Sequence, residues 1–455
     1  MQSEQTLSKQ QKESVFLLQI GTFLEYFDLM LYVHMAVLLN EIFFPPADPK
    51  TIGILTAFAF CSTYALRPLG ALIFGYIGDH YGRKPTIIIT TGMMALCCFL
   101  MANLPTYAEI GISAAVFVSI LRVVQGMTSM GEIMGAMIYI SETVKPPRQY
   151  SAVASITIAS TCGAMAALGI ATLTTRYGFN WRIAFWIGSG IALIGVIART
   201  KLRETPDYAN AALKRRQVIR NSASQGLKQV ADAFEKMKPF VDEKVNLKHF
   251  INFISLYCGW PLSFYLIYVY FIPVLKESCG YSSADIILHN FFIAIIRIFR
   301  TQLLSYLSQR IYPLLLTKYI GCIFLLITLV LPFALNAALN NYVIFAIQAS
   351  IAIFGLSACP SDPIFIKYFP IFKRFTAVTF GYALARAVMY VIISFGLVYL
   401  TDWFGFYGIW VLTMPIALFW IKSIMYYEKL ERQIGNYPLK GEWQVRPKTE
   451  IFDEI

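Results

Sequence analysis

Apolar runs long enough to cross a lipid bilayer recur along nearly the whole chain. A helix needs about 20 apolar residues to cross the hydrocarbon core of a membrane. Of the 455 residues, 57% are hydrophobic and only 14% are charged, which is far from the usual composition of a soluble domain. The sequence therefore predicts an all-α membrane protein. Twelve transmembrane helices are predicted, at residues 15–38, 51–78, 85–104, 112–141, 150–174, 181–200, 249–275, 284–306, 314–335, 341–366, 375–400 and 404–427.

The basic residues concentrate in every second loop between these runs. Such alternation places the basic loops on the cytoplasmic side, so both termini are predicted to be cytoplasmic. The net charge of +12 is then explained by orientation in a membrane, and no nucleic-acid partner is expected. The basic loops and termini carry Lys9, Lys12, Arg83, Lys84, Lys145, Arg148, the stretch 201–248, Arg310, Lys318, Lys373, Arg374 and the C-terminal tail, whereas the other loops carry Lys50, Arg176 and Lys276.

A polar decapeptide, GYIGDHYGRK at residues 75–84, joins the second and third apolar runs. Its glycines, Gly75 among them, permit a tight turn and a close approach of helices. Asp79, Arg83 and Lys84 place an acid and two bases within one helical turn, which is more charge than a plain connector needs. These four residues are therefore candidate functional residues. The alternative interpretation is an ordinary basic hairpin on the cytoplasmic side.

Three carboxylates lie inside predicted spans. Glu25 and Asp28 share one stripe of the first helix with Tyr32, at spacings i, i+3 and i+7, and Glu132 lies in the fourth run. A carboxylate at that depth is costly and by default marks an ion or proton pathway. Glu25, Asp28 and Glu132 are therefore candidate proton carriers, and the sequence does not choose among them. A buried structural ion pair is the alternative.

Arginines also lie inside the spans. Arg67 precedes Asp79 by 12 residues, or about 18 Å of helix, which places it deep in the membrane. Arg122 is a candidate partner of Asp28 or Glu25. An excess of guanidiniums over three carboxylates favours an anionic substrate, because arginine binds carboxylates bidentately. For Arg297 and Arg386 the alternative is that the side chain pairs locally or extends to the membrane surface. The candidate substrate-binding residues are Arg67, Arg122, Arg182, Arg297, Arg386 and Tyr32.

Several motifs carry a family resemblance. The decapeptide at 75–84 resembles the loop signature of the major facilitator superfamily, with His80 standing where a base is usual. Other strings resemble the metabolite:proton symporter branch, which includes transporters of proline and betaine, α-ketoglutarate and citrate. These strings are GTFLEYFD at 21–28, RPLG at 67–70, RVVQG at 122–126, GE at 131–132, NWRIAF at 180–185 and LRETP at 202–206.

The resemblance implies two pseudo-symmetric six-helix bundles and proton-coupled uptake by alternating access. The implied organisation is an N-terminal bundle at 1–200, a solvated cytoplasmic linker at 201–248, a C-terminal bundle at 249–427 and a cytoplasmic tail at 428–455. The resemblance also implies that Gly75, Asp79, Arg83 and Lys84 are gating residues, and that Asp79 holds the halves together at the N-terminus of helix eleven. In the second half Gln309 stands where that aspartate would recur.

The residues and the resemblance together predict a transporter and not an enzyme. The first choice of substrate is an organic anion, either a di- or tricarboxylate or a citrate-like polycarboxylate such as a carboxylate siderophore. A zwitterionic osmolyte, proline or betaine, is the alternative, and a non-transporting membrane sensor is a third. The eight cysteines lack metal-ligand spacing, so neither a metal nor a cofactor is expected. The expected partners are the substrate, the proton and the lipid bilayer, for a monomer in a bacterial cytoplasmic membrane.

Overall fold

A computed structural model describes residues 7–45, 64, 66–177, 180–223, 243–337 and 340–438. Each predicted span contains a helix, and the described residues include no strand. The helices of the N-terminal half are α1 (Lys9–Phe43), α2 (Arg67–His80), α3 (Arg83–Asn103), α4 (Ile112–Thr143), α5 (Arg148–Tyr177) and α6 (Trp181–Arg199). The C-terminal half has α7 (Leu247–Tyr265, continued by Leu266–Tyr270 and Phe271–Cys279), α8 (Ser283–Leu307), α9 (Pro313–Asn336), α10 (Asn341–Phe354, then Asp362–Ile366), α11 (Arg374–Phe404) and α12 (Ile409–Gln433).

The length and composition of these helices agree with a membrane protein. Among the described residues, seven helical stretches are long and apolar enough to cross a bilayer, and one of the seven joins α11 to α12. Helices α6 and α10 are apolar but shorter, and the segment before α2 lies outside the described residues. The all-α prediction is confirmed.

The two halves meet along matching pairs of helices. Helix α2 packs along α11, and helix α5 packs along α8. One large apolar core runs through the C-terminal half and continues into α4 and α5. We call the end of the molecule that carries Asp79, Arg83 and Arg374 the basic face, because the basic loops emerge there. The charge distribution predicts that this face is cytoplasmic.

Helix α10 is interrupted, whereas the sequence predicted a continuous span at 341–366. It stops at Phe354 and resumes at Asp362, with irregular backbone between. Pro360 lacks the N–H that a helix interior needs. In the irregular segment the side chain of Ser263 accepts a hydrogen bond from the Leu356 N–H at 2.8 Å, which replaces a helical bond. Helix α7 is also irregular, with Pro261 inside it and one π-helical turn.

Part of the predicted solvated linker is folded. Residues Pro206–Ala223 form a helix, here called the linker helix, and residues 224–242 lie outside the described part. Proline is favoured at the first position of a helix, which explains the start at Pro206. The Tyr208 hydroxyl donates to the His80 carbonyl at 2.8 Å, and the Arg83 guanidinium lies 4.7 Å from the Tyr208 ring. The linker helix therefore packs against the basic face.

Candidate functional site

Asp79 ties the end of α2 to the start of α11. One carboxylate oxygen accepts the Phe375 N–H at 2.9 Å, and the other accepts the Thr376 N–H at 2.9 Å. The first N–H groups of a helix lack partners within that helix, and the helix dipole favours a negative charge there. The predicted contact between Asp79 and the N-terminus of helix eleven is confirmed. Its role in gating stays a prediction.

Glycines bring α2 close enough to α11 for this contact. A Cβ atom on Gly75 would lie 2.7 Å from the Thr376 Cα, and a Cβ atom on Gly78 would lie 2.6 Å from the Phe375 ring. Neither distance allows a side chain. The backbones of the two helices therefore touch at Gly75, and the Phe375 ring packs directly on the α2 backbone at Gly78.

Arg83 lies at the centre of a buried ionic network on the same face. Its guanidinium donates to both carboxylate oxygens of Glu142, at 3.1 and 3.0 Å, and to the Ile371 carbonyl at 2.7 Å. Arg374 of the other half also donates to Glu142 at 3.0 Å. Lys84 joins through its backbone N–H, which Glu204 accepts at 3.3 Å. Charge-assisted bonds of this kind are the stronger hydrogen bonds in proteins, so the network holds the halves together.

The equivalent loop of the C-terminal half, between α8 and α9, makes a weaker contact. The side-chain oxygen of Gln309 accepts a hydrogen bond from Arg148, at the start of α5, at 2.6 Å. Gln309 thus contacts the start of α5 as Asp79 contacts the start of α11, but it offers a neutral amide instead of a carboxylate. We infer that the Asp79 copy contributes more of the cohesion between the halves.

Changing Gly75 to Ala is expected to loosen this contact. The added methyl group overpacks the α2–α11 interface, and overpacking typically costs about 1–3 kcal/mol. The readout is maleimide labelling of a cysteine placed at Thr379, which is fully buried between the halves and donates to the Ala71 carbonyl at 3.3 Å. Labelling should accelerate at least fivefold in the Gly75→Ala background.

Gly92→Ala is the matched control for that experiment. A Cβ atom on Gly92 meets nothing within 4 Å, so the labelling rate should equal that of the parent. Both variants would be measured without other accessible thiols. Equal labelling in Gly75→Ala and Gly92→Ala would show that the close approach at Gly75 does not hold the basic face closed.

Asp28 is paired deeper in the N-terminal half. An Arg122 guanidinium nitrogen lies 3.6 Å from one Asp28 oxygen, and the Cys98 thiol donates to the other at 3.4 Å. Arg122 also donates to the side-chain oxygen of Gln125 at 2.9 Å. Of the two partners predicted for Arg122, Asp28 and Glu25, the structure pairs it with Asp28, so this carboxylate has a cation beside it.

Glu132 is enclosed by donors from two other helices, α3 and α6. Arg199 donates to one of its oxygens at 2.5 Å, and the hydroxyls of Thr90 and Thr91 donate to the other at 2.9 and 2.5 Å. Arg199 is fully buried and also donates to the Leu17 carbonyl at 3.3 Å. Arg199 is not predicted from the sequence, because a basic residue at the end of a span is ordinary and no local signal shows that it points inward.

Glu25 differs from the other two carboxylates. It is 2% exposed, and its Oε2 atom has no hydrogen-bond partner among the described residues. Arg67 is 1% exposed, and none of its three guanidinium nitrogens is hydrogen-bonded within the described chain. The Arg67 guanidinium lies 4.3 Å from the centre of the Tyr64 ring. In the described part of the chain, a hydrogen-bond acceptor of Glu25 and the donors of Arg67 thus lie buried in one region without hydrogen-bond partners.

Glu25, Arg67, Asp28 and Arg122 line one small cavity. Its volume is about 10 Å³, roughly the space needed for one water molecule. A metabolite therefore does not fit in this conformation.

Arg386 enters the same region from α11. It is 4% exposed, and its guanidinium lies 4.1 Å from the Trp260 ring and 4.2 Å from the Tyr382 ring. The same guanidinium donates to the Tyr26 hydroxyl of the other half at 3.2 Å. The half-buried Arg297 lies 5.9 Å from the Trp260 ring. Arg386 and Arg297 therefore approach the central region through a shared tryptophan.

Two further candidates are not part of this group. Arg182 is the second residue of α6, where its guanidinium donates to the Leu104 carbonyl at 3.1 Å and lies 4.5 Å from the Trp181 ring. Both partners sit at helix ends opposite the basic face. Its predicted reach into the central cavity is therefore not seen, because it satisfies the carbonyl that follows α3. Tyr32 lies in α1, but its side chain is outside the described part.

Relatives of known name match parts of the chain. A putative proline/betaine transporter of Staphylococcus aureus (strain COL) is 35% identical over 211 residues, which is 45% of this chain and 45% of the relative. The proline/betaine transporter of Salmonella typhimurium (strain LT2) is 29% identical over 311 residues, 66% of this chain and 60% of the relative. The matched region thus spans about half the length of these curated relatives.

Solved structures and a family model cover more of the chain. A proton:xylose symporter, XylE, bound to 6-bromo-6-deoxy-D-glucose has a TM-score of 0.71 at 14% identity, covering 92% of this chain and 95% of that one. The human organic anion transporter MFSD10 has a TM-score of 0.63 at 13% identity, covering 92% and 100%. Such identities show the fold alone. The family model of the Major Facilitator Superfamily matches residues 18–397. The chain belongs to the major facilitator superfamily of membrane transporters.

Proposed function

We propose that this transporter is a proton symporter that takes up a small zwitterionic metabolite of the proline or betaine class. The names of the relatives favour this class over the organic anion that was the first choice from sequence. The observation that carries the proposal is the pair of open groups at the centre, Glu25 as acceptor and Arg67 as donor. We further propose a bacterial cytoplasmic membrane as the location, with both termini cytoplasmic and the monomer as the functional unit.

The charges at the centre suit a ligand that carries a carboxylate. Asp28 has Arg122 beside it and Glu132 has Arg199, which leaves Glu25 as the remaining candidate acid near Arg67 and Arg386. A substrate carboxylate would supply the missing negative charge by a bidentate contact with Arg67. The ammonium group of a zwitterion would then lie near Glu25 or over an aromatic face.

Glu25 is the proposed proton carrier. When it is protonated, the Arg67 guanidinium keeps its donors for the substrate carboxylate. When it loses its proton, the new carboxylate competes for the same guanidinium and favours release. Binding of proton and substrate on one side and release of both on the other would thus be linked through a single arginine. Glu132 is a weaker candidate, since Arg199 and two hydroxyls already satisfy it.

An organic anion is the second candidate. A further arginine, Arg300, lies one turn from Arg297 on α8 and donates to the Gly355 carbonyl at 2.9 Å. If either guanidinium moved towards the centre as the halves separate, a second or third substrate carboxylate would find a partner. This candidate therefore predicts a polycarboxylate, whereas the first predicts a single carboxylate and a cationic group.

Uptake of a labelled panel by vesicles that contain the purified protein separates the two candidates. The panel is proline, glycine betaine, 2-oxoglutarate and citrate, each with and without an inward proton gradient. We expect proline or betaine to accumulate, and to accumulate more with the gradient. Accumulation of citrate or 2-oxoglutarate alone would favour the second candidate. Lack of uptake of the whole panel would contradict both.

Arg67→Gln is expected to weaken the apparent affinity for the transported substrate by about 10- to 150-fold. The range corresponds to about 1.5–3 kcal/mol for a hydrogen bond to a charged group. Arg182→Gln is the matched control, because the guanidinium of Arg182 is bound at the end of the molecule opposite the basic face. The affinity of this variant for the substrate should equal that of the wild type. Normal affinity in Arg67→Gln at normal protein levels would remove Arg67 from the substrate site.

A further inference from the structure

Asp362 is a buried carboxylate outside the site described above. It is 2% exposed and begins the second segment of α10. One of its oxygens accepts the Tyr257 hydroxyl at 2.6 Å. The other, Oδ2, has no hydrogen-bond partner among the described residues, and Asp362 forms no ion pair in that part of the chain. An ionised carboxylate in this setting is costly unless it binds a proton or a cation.

The groups around Asp362 supply hydroxyls and rings instead of a positive charge. Tyr257 of α7 is the side chain that acts on it directly, and the Tyr382 ring of α11 lies 5.2 Å from the Tyr257 ring. From α9, the Thr317 hydroxyl pairs with that of Ser361 at 2.6 Å. The two helices of the other half that pack against this segment carry Arg122, Glu132, Tyr139 and Glu142 in α4, and Arg148, Tyr150, Cys162, Arg176 and Tyr177 in α5. Nearby segments of the C-terminal half carry Cys359, Lys367, Arg300 and Tyr427.

Four of the charged groups among them already have partners. Arg300 donates to Gly355, and Arg148 donates to Gln309. Glu142 and Glu132 are held by Arg83 and Arg199. Asp362 is therefore left with one donor and no cation within the described residues.

The position of Asp362 couples it to opening of the basic face. Asp362–Ile366 packs against α4 and α5 of the other half. Asp362 precedes the partly exposed Lys367 by five residues, or about 7.5 Å of helix. Separation of the halves at the basic face would thus bring water to Oδ2, whereas closure removes that water.

We propose that Asp362 is a proton-binding site that controls closure of the basic face. With the face closed, Oδ2 carries a proton. When the face opens, that O–H bond breaks, the proton passes to water on the same side, and the carboxylate remains with the Tyr257 hydroxyl as its donor. Closure requires the proton back, so high pH at the basic face favours the open state. The inference rests on the alternating-access cycle proposed above but not on the identity of the substrate.

The test measures the distance between the halves without substrate. Spin labels are placed at Lys145 and Arg310, two exposed residues on opposite halves of the basic face, in a background without other reactive thiols. Double electron–electron resonance then gives the closed fraction as a function of pH. In the wild type we expect the closed fraction to fall as pH rises. In Asp362→Asn, a neutral side chain of the same shape, the face should stay closed at every pH tested.

Two variants keep the test decisive if Asp362→Asn fails to fold. Tyr257→Phe removes the donor to the carboxylate, so ionisation becomes harder and the opening midpoint should move to higher pH by about one unit or more. Asp402→Asn changes an exposed carboxylate at the far end of α11 and should leave the wild-type curve unchanged.

Three results would overturn the proposal. They are a wild-type closed fraction that ignores pH, a wild-type response that persists in Asp362→Asn, and a midpoint unmoved by Tyr257→Phe. Closure of the wild type at high pH on addition of sodium would assign the site to a metal cation instead. These measurements contain no substrate, so they can fail while the uptake panel succeeds, and the reverse.

Discussion

Replacing Asp79 by Asn is expected to reduce transport at least tenfold, with the amount of protein in the membrane near that of the wild type. The carboxylate accepts two N–H groups at the start of α11, from Phe375 and Thr376. An amide offers one acceptor and turns an NH2 group towards the other N–H. Losing a charge-assisted bond costs about 1.5–3 kcal/mol, and losing a negative charge at a helix N-terminus adds about 0.3–1 kcal/mol. The closed basic face is disfavoured accordingly.

Two controls accompany the Asp79→Asn measurement, which is the initial rate of uptake per transporter. Gln309→Ala removes the equivalent group of the second copy, where a neutral amide meets Arg148, and should lower the rate less. Asp402→Asn, at an exposed site, should leave the rate unchanged. Uptake by Asp79→Asn at the wild-type rate would exclude the loop from the mechanism.

Neutralising Glu25 is expected to abolish accumulation driven by a pH gradient. Exchange of substrate between equal pools needs no net proton movement, so Glu25→Gln should retain it. The measurement compares the steady-state ratio of labelled substrate inside and outside vesicles with the rate of exchange. The physical reason is that the remaining amide cannot bind or release a proton at the acceptor beside Arg67.

The other two candidate carriers serve as comparisons for Glu25→Gln. Glu132→Gln leaves Arg199 buried without its carboxylate, and breaking a buried pair costs about 3–5 kcal/mol, so the main effect should be on protein level. Asp28→Asn unpairs Arg122 in the same way. Concentrative uptake that survives all three single replacements would contradict the assignment of the proton to these residues.

The sequence predicted those features that depend on local pattern or on a motif. Apolar length predicted the spans, and the family resemblance carried by the decapeptide implied the contact of Asp79 with α11. Depth in the membrane predicted a carboxylate partner for Arg122, since a buried charge needs a partner, but left Asp28 and Glu25 as alternatives. In each case the physical requirement is visible in one short stretch of residues.

Features that depend on contacts between distant stretches could not be predicted. Arg199 meets Glu132 across 67 positions of the chain, and nothing near either residue shows the pairing. The sequence predicts a continuous span through Asp362. The break before this residue could not be predicted, because a side chain from α7 stabilises the irregular segment. Arg182, in a string that resembles the symporter branch, was expected to reach the central cavity from above, whereas the carbonyl at the end of α3 holds it at the far end of the molecule.

The most direct test of the central claim is whether substrate movement carries protons. Vesicles that contain the purified transporter enclose a pH-sensitive dye, and proline or glycine betaine is added outside with no initial pH gradient. The account predicts that the substrate gradient acidifies the interior of wild-type vesicles but not of vesicles with Glu25→Gln or without protein. Uptake of the substrate by the wild type with no change in internal pH would contradict proton symport.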